Sequence, residues 1–171
     1  MLFSGAGEYG IRTMLYLASQ PQTHPVLIRD IAQNLQISFS FLAKIAQTLT
    51  RRGLLTSQKG PGGGVALARP AEEITLLQVL EAINGLDLTW KCVLGMPGCS
   101  ESGVHCPLHN HWKTIRNNIM SMLNNQSIAQ WVEQLKATCP SELLTGAVGP
   151  EGALESLTKG KENHSGEPGY T

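Results

Sequence analysis

A chain of 171 residues with 42% hydrophobic content is long enough for one ordinary domain, or for a small domain with an appendage, and can build a sizeable core. No apolar run reaches the roughly 18 residues of a membrane-spanning helix, and Met1-Leu2-Phe3-Ser4-Gly5 lacks the basic and apolar stretches of a secretory signal, so the expected compartment is the cytoplasm. The formal net charge of zero conceals an asymmetry: residues 1–70 hold seven Lys or Arg against two acids and residues 71–171 six against eleven, which suits a module that meets phosphate joined to one that does not.

Over residues 8–19, Ile11, Leu15 and Ala18 recur at helical spacing with Met14 and Leu17 beside them, which predicts a helix with a wide buried face. Pro21 and Pro25 then interrupt the chain. Leu27, Ile31, Ala32 and Leu35 predict a second helix over residues 27–35. After the short link Gln36-Ile37-Ser38, in which Ser38 is a good N-cap, Leu42, Ile45, Ala46 and Leu49 share one face of a third helix over residues 39–52. Arg51 and Arg52 suit its C-terminal dipole and Gly53 can close it. Two short helices with a tight link read as a helix-turn-helix.

The outer face of the third helix carries Ser40, Lys44, Gln47, Thr48 and Arg51, all polar or cationic and none acidic. Short donors and acceptors near a helix start suit base edges, and Lys and Arg farther along suit phosphates. An ordinary solvated face has the same look, and the next segment tips the balance. Residues 54–58 predict a strand, residues 59–64 (Lys-Gly-Pro-Gly-Gly-Gly) a turn and residues 65–68 a strand back. The turn joins two strands and lacks a Gly-Lys-Ser/Thr ending, which argues against a nucleotide phosphate loop. A glycine tip instead lets backbone approach DNA phosphates or enter a minor groove, with Lys59 as the cation. Farther on, Thr75 can cap a helix lined by Leu76, Val79, Leu80 and Ile83 and ended by Asn84-Gly85, read as packing without chemistry.

Residues 91–106 show no period and few core-forming side chains. Cys92, Cys99 and Cys106 are separated by six residues each, and His109 follows Cys106 after two more. In a chain without a secretory signal, such thiols point to ligands or redox groups rather than disulfides. Soft thiolates with one imidazole suit zinc or an iron–sulfur cluster, and the glycines and Pro97 let backbone wrap a centre. Pro107 fits a first helical position, which places Cys106 at the N-cap, where the helix dipole stabilises a thiolate, and His109 in the same turn. The alternative, free small hydrophobes and a surface histidine, fits the even spacing less well. His105 and His111 are weaker candidates, and Cys139 stands apart.

Leu108, Trp112, Ile115, Ile119 and Met122 then form a 4-3-4-3 seam over residues 107–126, able to pack on its own domain or to pair with a second copy. Residues 127–138 predict a last helix, capped by Ser127, with Ile128, Trp131, Val132 and Leu135 apolar. Beyond about residue 145 the Gly, Glu, Lys and Ser content reads as disorder. The expected organisation is mainly α with a small β-hairpin: a winged-helix DNA-binding domain over 1–85, a cysteine-rich loop over 86–106, dimerisation helices over 107–140 and a disordered tail over 141–171. No nucleophile–base pair, catalytic carboxylate pair or cofactor loop stands out, so an enzyme is not expected.

These residues resemble the winged-helix transcription regulators that include the iron–sulfur cluster regulator IscR and the nitric-oxide sensor NsrR, over residues 1–135. The most specific stretch is Gly53-Leu54-Leu55-Thr56-Ser57-Gln58-Lys59-Gly60-Pro61-Gly62-Gly63-Gly64. Ile37-Ser38-Phe39-Ser40-Phe41-Leu42 is similar to the start of the family's recognition helix, and Cys92, Cys99, Cys106 and His109 to its cluster loop. The resemblance implies a homodimer on an imperfect DNA palindrome, with Ser38, Ser40, Phe41 and Lys44 at the major groove and Lys59, Gly60 and Pro61 at the minor groove. It implies an iron–sulfur cluster, [2Fe-2S] in the IscR-like branch, held by Cys92, Cys99, Cys106 and His109. Both cysteine gaps are one residue longer than in that branch, and structural zinc or cluster-free thiol chemistry remains the alternative. Glu8 stands where the NsrR-like branch supplies an acidic ligand, and so is the alternative fourth ligand. On helix spacing alone, Glu8 pairs with Arg12 one turn away.

Overall fold

Ser4 caps the first helix, its hydroxyl accepting from the Gly7 N–H at 3.0 Å, so α1 runs Gly5–Ser19. The helix starts earlier than periodicity indicates because its first turn is Gly-Ala-Gly, which carries no apolar pattern to read. The computed structural model describes residues 3–21, 24–60, 62–85, 94 and 107–138. The cysteine-rich loop expected over 86–106 (Leu94 apart), the tail expected over 141–171, Pro61 and Cys139 lie outside the described residues.

A short α2, Ile28–Asn34, and α3, Phe39–Arg51, form the helix-turn-helix. Gln36 bends the link at φ 54, a conformation that few non-glycine residues adopt outside turns. Ser38 then caps α3, its Oγ accepting from the Phe41 N–H at 3.4 Å. Leu54 N–H donates back to the Leu49 carbonyl at 3.0 Å across Gly53, which sits at φ 72, so the helix ends as the glycine foretold.

Strands β1, Leu55–Gln58, and β2, Gly64–Leu67, pair antiparallel from Leu55↔Leu67 at the base to Gln58↔Gly64 at the tip. Val26, just before α2, adds a bridge to the free edge of β2: Val26 N–H donates to the Val65 carbonyl at 2.9 Å and Val65 N–H to the Val26 carbonyl at 2.8 Å. Gly64 makes that approach possible, since a Cβ there would run into the Val26 carbonyl.

A 3-10 turn, Ala71–Glu73, leads to α4, Leu76–Asn84, closed at its start by a reciprocal Thr75–Gln78 capping box and at its end by Gly85 at φ 69. Helix α5 is His109–Asn124 and α6 is Ile128–Thr138. Reciprocal Ser127–Gln130 bonds cap α6, and Ile128 N–H donates to the Ile74 carbonyl at 2.7 Å.

One core joins these pieces. Met14 and Leu17 of α1, Ile31 and Leu35 from the α2 region, Leu42 and Leu49 of α3, Leu55 and Val65 of the hairpin, Val79 and Leu80 of α4 and Ile128 and Val132 of α6 are all buried within it. Burial of each such side chain contributes about 1.5–3 kcal/mol. Helix α1 packs on both α4 and α6, so the last helix is built into the same core as the helix-turn-helix. Gly7 and Gly10 let α1 and α4 approach closely: a Cβ at Gly7 would lie 2.8 Å from Asn84 Nδ2, and one at Gly10 would collide with Ile83 Cδ1. Helix α5 differs, with Leu123 its one buried residue. Among the described residues no helix is long and apolar enough to cross a membrane.

Candidate nucleic-acid interface and ligand residues

Burying Leu42, Ile45, Ala46 and Leu49 turns the opposite face of α3 outward, and Ser38, Ser40 and Lys44 are all exposed there. The first turn of α3 carries no acid, so no like charge opposes an approaching phosphate. Farther along, the Thr48 hydroxyl donates to the Lys44 carbonyl at 3.0 Å, and Arg51 Nη2 donates to Thr48 Oγ1 at 3.4 Å. Thr48 is thus engaged within its own helix, and Lys44 is the freer outward group.

Two aromatic rings flank this face. Phe39 is 56% exposed and Phe41 37% exposed. Phe41 meets Tyr9 of α1 edge-on, with ring centroids 5.8 Å apart at 90°. The Arg12 guanidinium lies over the same Tyr9 ring, 5.4 Å from its centroid. The expected Glu8–Arg12 ion pair is therefore not formed among the described residues. Arg12 is half-buried, and the tyrosine face partly compensates its lost hydration, whereas Glu8 is exposed and an ion pair there is worth little. Sequence reasoning weighed Glu8 as the partner of Arg12 and overlooked Tyr9 three residues before it; the Phe41–Tyr9 contact joins two helices, and no local spacing signals that half of the stack.

The tip of the hairpin is exposed at Lys59, Gly60 and Gly62, with Gly60 at φ 101 and Gly62 at φ 78. Gly63 N–H donates to the Gly60 carbonyl at 2.9 Å and closes the turn. Positive φ at Gly60 and Gly62, beside exposed Lys59, is backbone that glycine adopts without steric cost.

The ligand residues divide. Glu8 is exposed in the first turn of α1, and His109 is half-buried as the first residue of α5. Cys92, Cys99, Cys106 and His105 lie outside the described residues. No group of three or more metal-ligating side chains occurs among the described residues. One expectation is corrected: α5 begins at His109 with Leu108 in the cap position, Trp112 N–H donating to the Leu108 carbonyl at 2.8 Å. Pro107 falls in the preceding turn, where its fixed φ fits as well as at a first helical position, so Cys106 is not the N-cap of α5.

A helix-turn-helix with a hairpin wing, an acid-free recognition face and a glycine tip beside a lysine defines a winged-helix DNA-binding regulator. Residues 3–134 match the Rrf2 family model, described as iron-dependent transcriptional regulators, and the chain belongs to that family. It is 33% identical over 134 residues to a putative HTH-type transcriptional regulator of Haemophilus influenzae, covering 78% of this chain and 88% of that one. It is 35% identical over 133 residues to the HTH-type transcriptional regulator IscR of Serratia proteamaculans, covering 77% and 79%. Its fold is similar to T. potens IscR, with a TM-score of 0.66 at 22% identity over 81% of this chain and 91% of that one. It is equally similar to CymR, the global cysteine regulator of B. subtilis, with a TM-score of 0.66 at 22% identity over 77% and 96%. The protein is a DNA-binding transcriptional regulator and not an enzyme.

Proposed function

We propose that the protein is a homodimeric regulator whose affinity for a palindromic operator responds to an iron–sulfur cluster held by Cys92, Cys99, Cys106 and His109, with Glu8 as the alternative fourth ligand. The observation that carries this reading is the donor set: three thiols in a glycine-rich segment entered from α4 at Gly85 and left at His109, the first residue of α5. Soft thiolates with one imidazole fit such a cluster in number and chemistry. When bound, the cluster supplies a centre that oxidants, nitric oxide or iron shortage can alter, and [2Fe-2S] suits a three-cysteine, one-histidine set.

The chain's own residues do the rest. Ser38, Ser40, Phe41 and Lys44 face the major groove from α3, and Lys59, Gly60 and Pro61 enter the minor groove from the wing. Dimerisation falls to α5. Its seam is exposed, with Leu108 46%, Ile115 51% and Met122 50% exposed along one heptad row and Trp112 and Ile119 half-buried beside it. A second α5 packed on that row covers it and sets the spacing of two recognition helices. The ligand segment joins α4 of the DNA-binding core to α5, so ordering that segment biases the geometry of the pair. A coupling of about 1–3 kcal/mol is the ordinary scale for such a link.

Anaerobic purification with visible absorption and assays of iron, sulfide and zinc tests the sensing half. Matching iron and sulfide, lost in Cys92→Ala, Cys99→Ala and Cys106→Ala together with the DNA response, is the expected outcome. One zinc per chain and no colour, or no metal after reconstitution, replaces it with a winged-helix regulator using structural zinc or thiol redox chemistry.

A further inference from the structure

At the base of the hairpin, at the end opposite the Lys59–Gly63 tip, a cleft opens between α4 and the chain segments that enter and leave the two strands. Its lining includes Arg52, Leu54, Arg69, Gln78, Glu81 and Ala82, and it encloses about 960 Å³ of non-protein space counting its open mouth. We propose that this cleft binds a small zwitterion, a free α-amino acid, as a second ligand of the protein.

The walls of the cleft are fixed by the cap of α4. Gln78 is the reciprocating residue of the α4 capping box, its Oε1 accepting from the Thr75 N–H at 3.3 Å. The same Oε1 accepts from Arg69 Nη2 at 3.3 Å. One edge of the Arg69 guanidinium is thus held by a side chain that is itself locked, which leaves its other N–H groups free to act in a set orientation. Arg52, at the C-cap of α3, also lines the cleft, and its guanidinium has no partner among the described residues. Glu81, one turn beyond Gln78 on α4, is half-buried, and no ion pair joins it to either arginine among the described residues. Leu54 and Ala82 supply apolar lining.

Charge decides the class of ligand. A simple anion drawn to the arginines enters a cleft that Glu81 also lines, and a simple cation drawn to Glu81 enters one lined by two guanidiniums. A ligand carrying both signs satisfies all three groups: its carboxylate takes charge-assisted bonds from Arg52 and Arg69, and its ammonium donates to Glu81. The side chain then lies against Leu54 and Ala82. The cleft also touches Gly85, where α4 ends and the cysteine segment begins. The wing-tip residues Lys59 to Gly63 are not part of its lining.

The test uses the full chain, prepared anaerobically, and amide chemical shifts of Gln78, Glu81, Ala82 and Gly85. The probes are each of the twenty common L-amino acids added singly, with acetate and methylammonium as half-ligands. The expected result is saturable shifts with at least one amino acid below about 10 mM. Acetate and methylammonium should bind about tenfold more weakly or worse, and Arg52→Ala should weaken the amino acid by about tenfold. Glu81→Gln should bring the amino acid down towards acetate. Absence of saturable shifts with every amino acid, acetate binding as tightly as the amino acid, or unchanged binding in Arg52→Ala would each overturn the proposal. None of these readouts involves DNA or a cluster, so they leave the proposed sensing function to its own test.

Discussion

Lys59 and Tyr16 show how differently single residues act here. Lys59 is exposed beside the glycine tip and contributes little to folding, so its role is read in binding. A lysine on a phosphate releases counterions. Lys59→Ala should therefore weaken operator binding and make the slope of log affinity against log salt shallower by about 0.9 per subunit. An unchanged slope, measured by fluorescence anisotropy over a salt series, removes the wing from the interface. Tyr16 is buried in α1, and burial, reinforced by the nearby Asp30 carboxylate, raises its phenol pKa above the usual 10.0. The folded state therefore holds this proton more tightly than the unfolded chain. That contribution is fully present below pH 10.0 and is lost as pH rises through the higher folded value. Urea unfolding across the alkaline range should show that loss, and Tyr16→Phe should flatten it; an identical alkaline limb in both proteins counts against the assignment.

Elements are held by caps and close crossings, and each has a measurable cost. Thr75→Ala removes half of the α4 capping box and should destabilise the protein by about 1 kcal/mol in urea unfolding. Gly10 faces Ile83 where α1 crosses α4, with no room for a methyl group. Gly10→Ala should cost about 1–3 kcal/mol through forced displacement of Ile83 or of the helices, although alanine is the better helix former. A neutral or stabilising result would mean that the crossing opens easily. At this scale most of the fold was legible, because apolar periodicity and short caps such as Ser38, Gly53, Thr75 and Ser127 act within a few residues. What escaped was non-local. The Val26 bridge to Val65 is a single pair with no strand-like run around Val26, and the Phe41–Tyr9 contact spans two helices.

For the whole molecule, the exposed row of α5 is the decisive feature. Ile115→Glu places a charge in the centre of the proposed seam. Sedimentation equilibrium should then find monomer at concentrations where the parent chain is dimeric, and affinity for a two-half-site operator should fall towards that for one half-site. A stable Ile115→Glu dimer would move the subunit contact off α5. The last helix bears on the same question. Both late helices were expected to serve dimerisation; α6 packs with α1 in the central core, whereas α5 keeps an exposed apolar row.

The helix-turn-helix, the hairpin wing, the outward polar face of α3 and the family could be read from the order of residues alone, because these rest on local periodicity, caps and a contiguous glycine-rich motif. That order also supplied the thiol and imidazole donors as a chemical set. Packing in three dimensions settled that Arg12 lies over the Tyr9 ring, that α5 starts at His109 rather than Pro107, and that Arg52, Arg69 and Glu81 line one cleft. Each of these depends on which surfaces the core brings together. Spacing along one helix offers Arg12 both Glu8 and Tyr9, and it does not say which pairing wins once Phe41 of another helix packs against Tyr9.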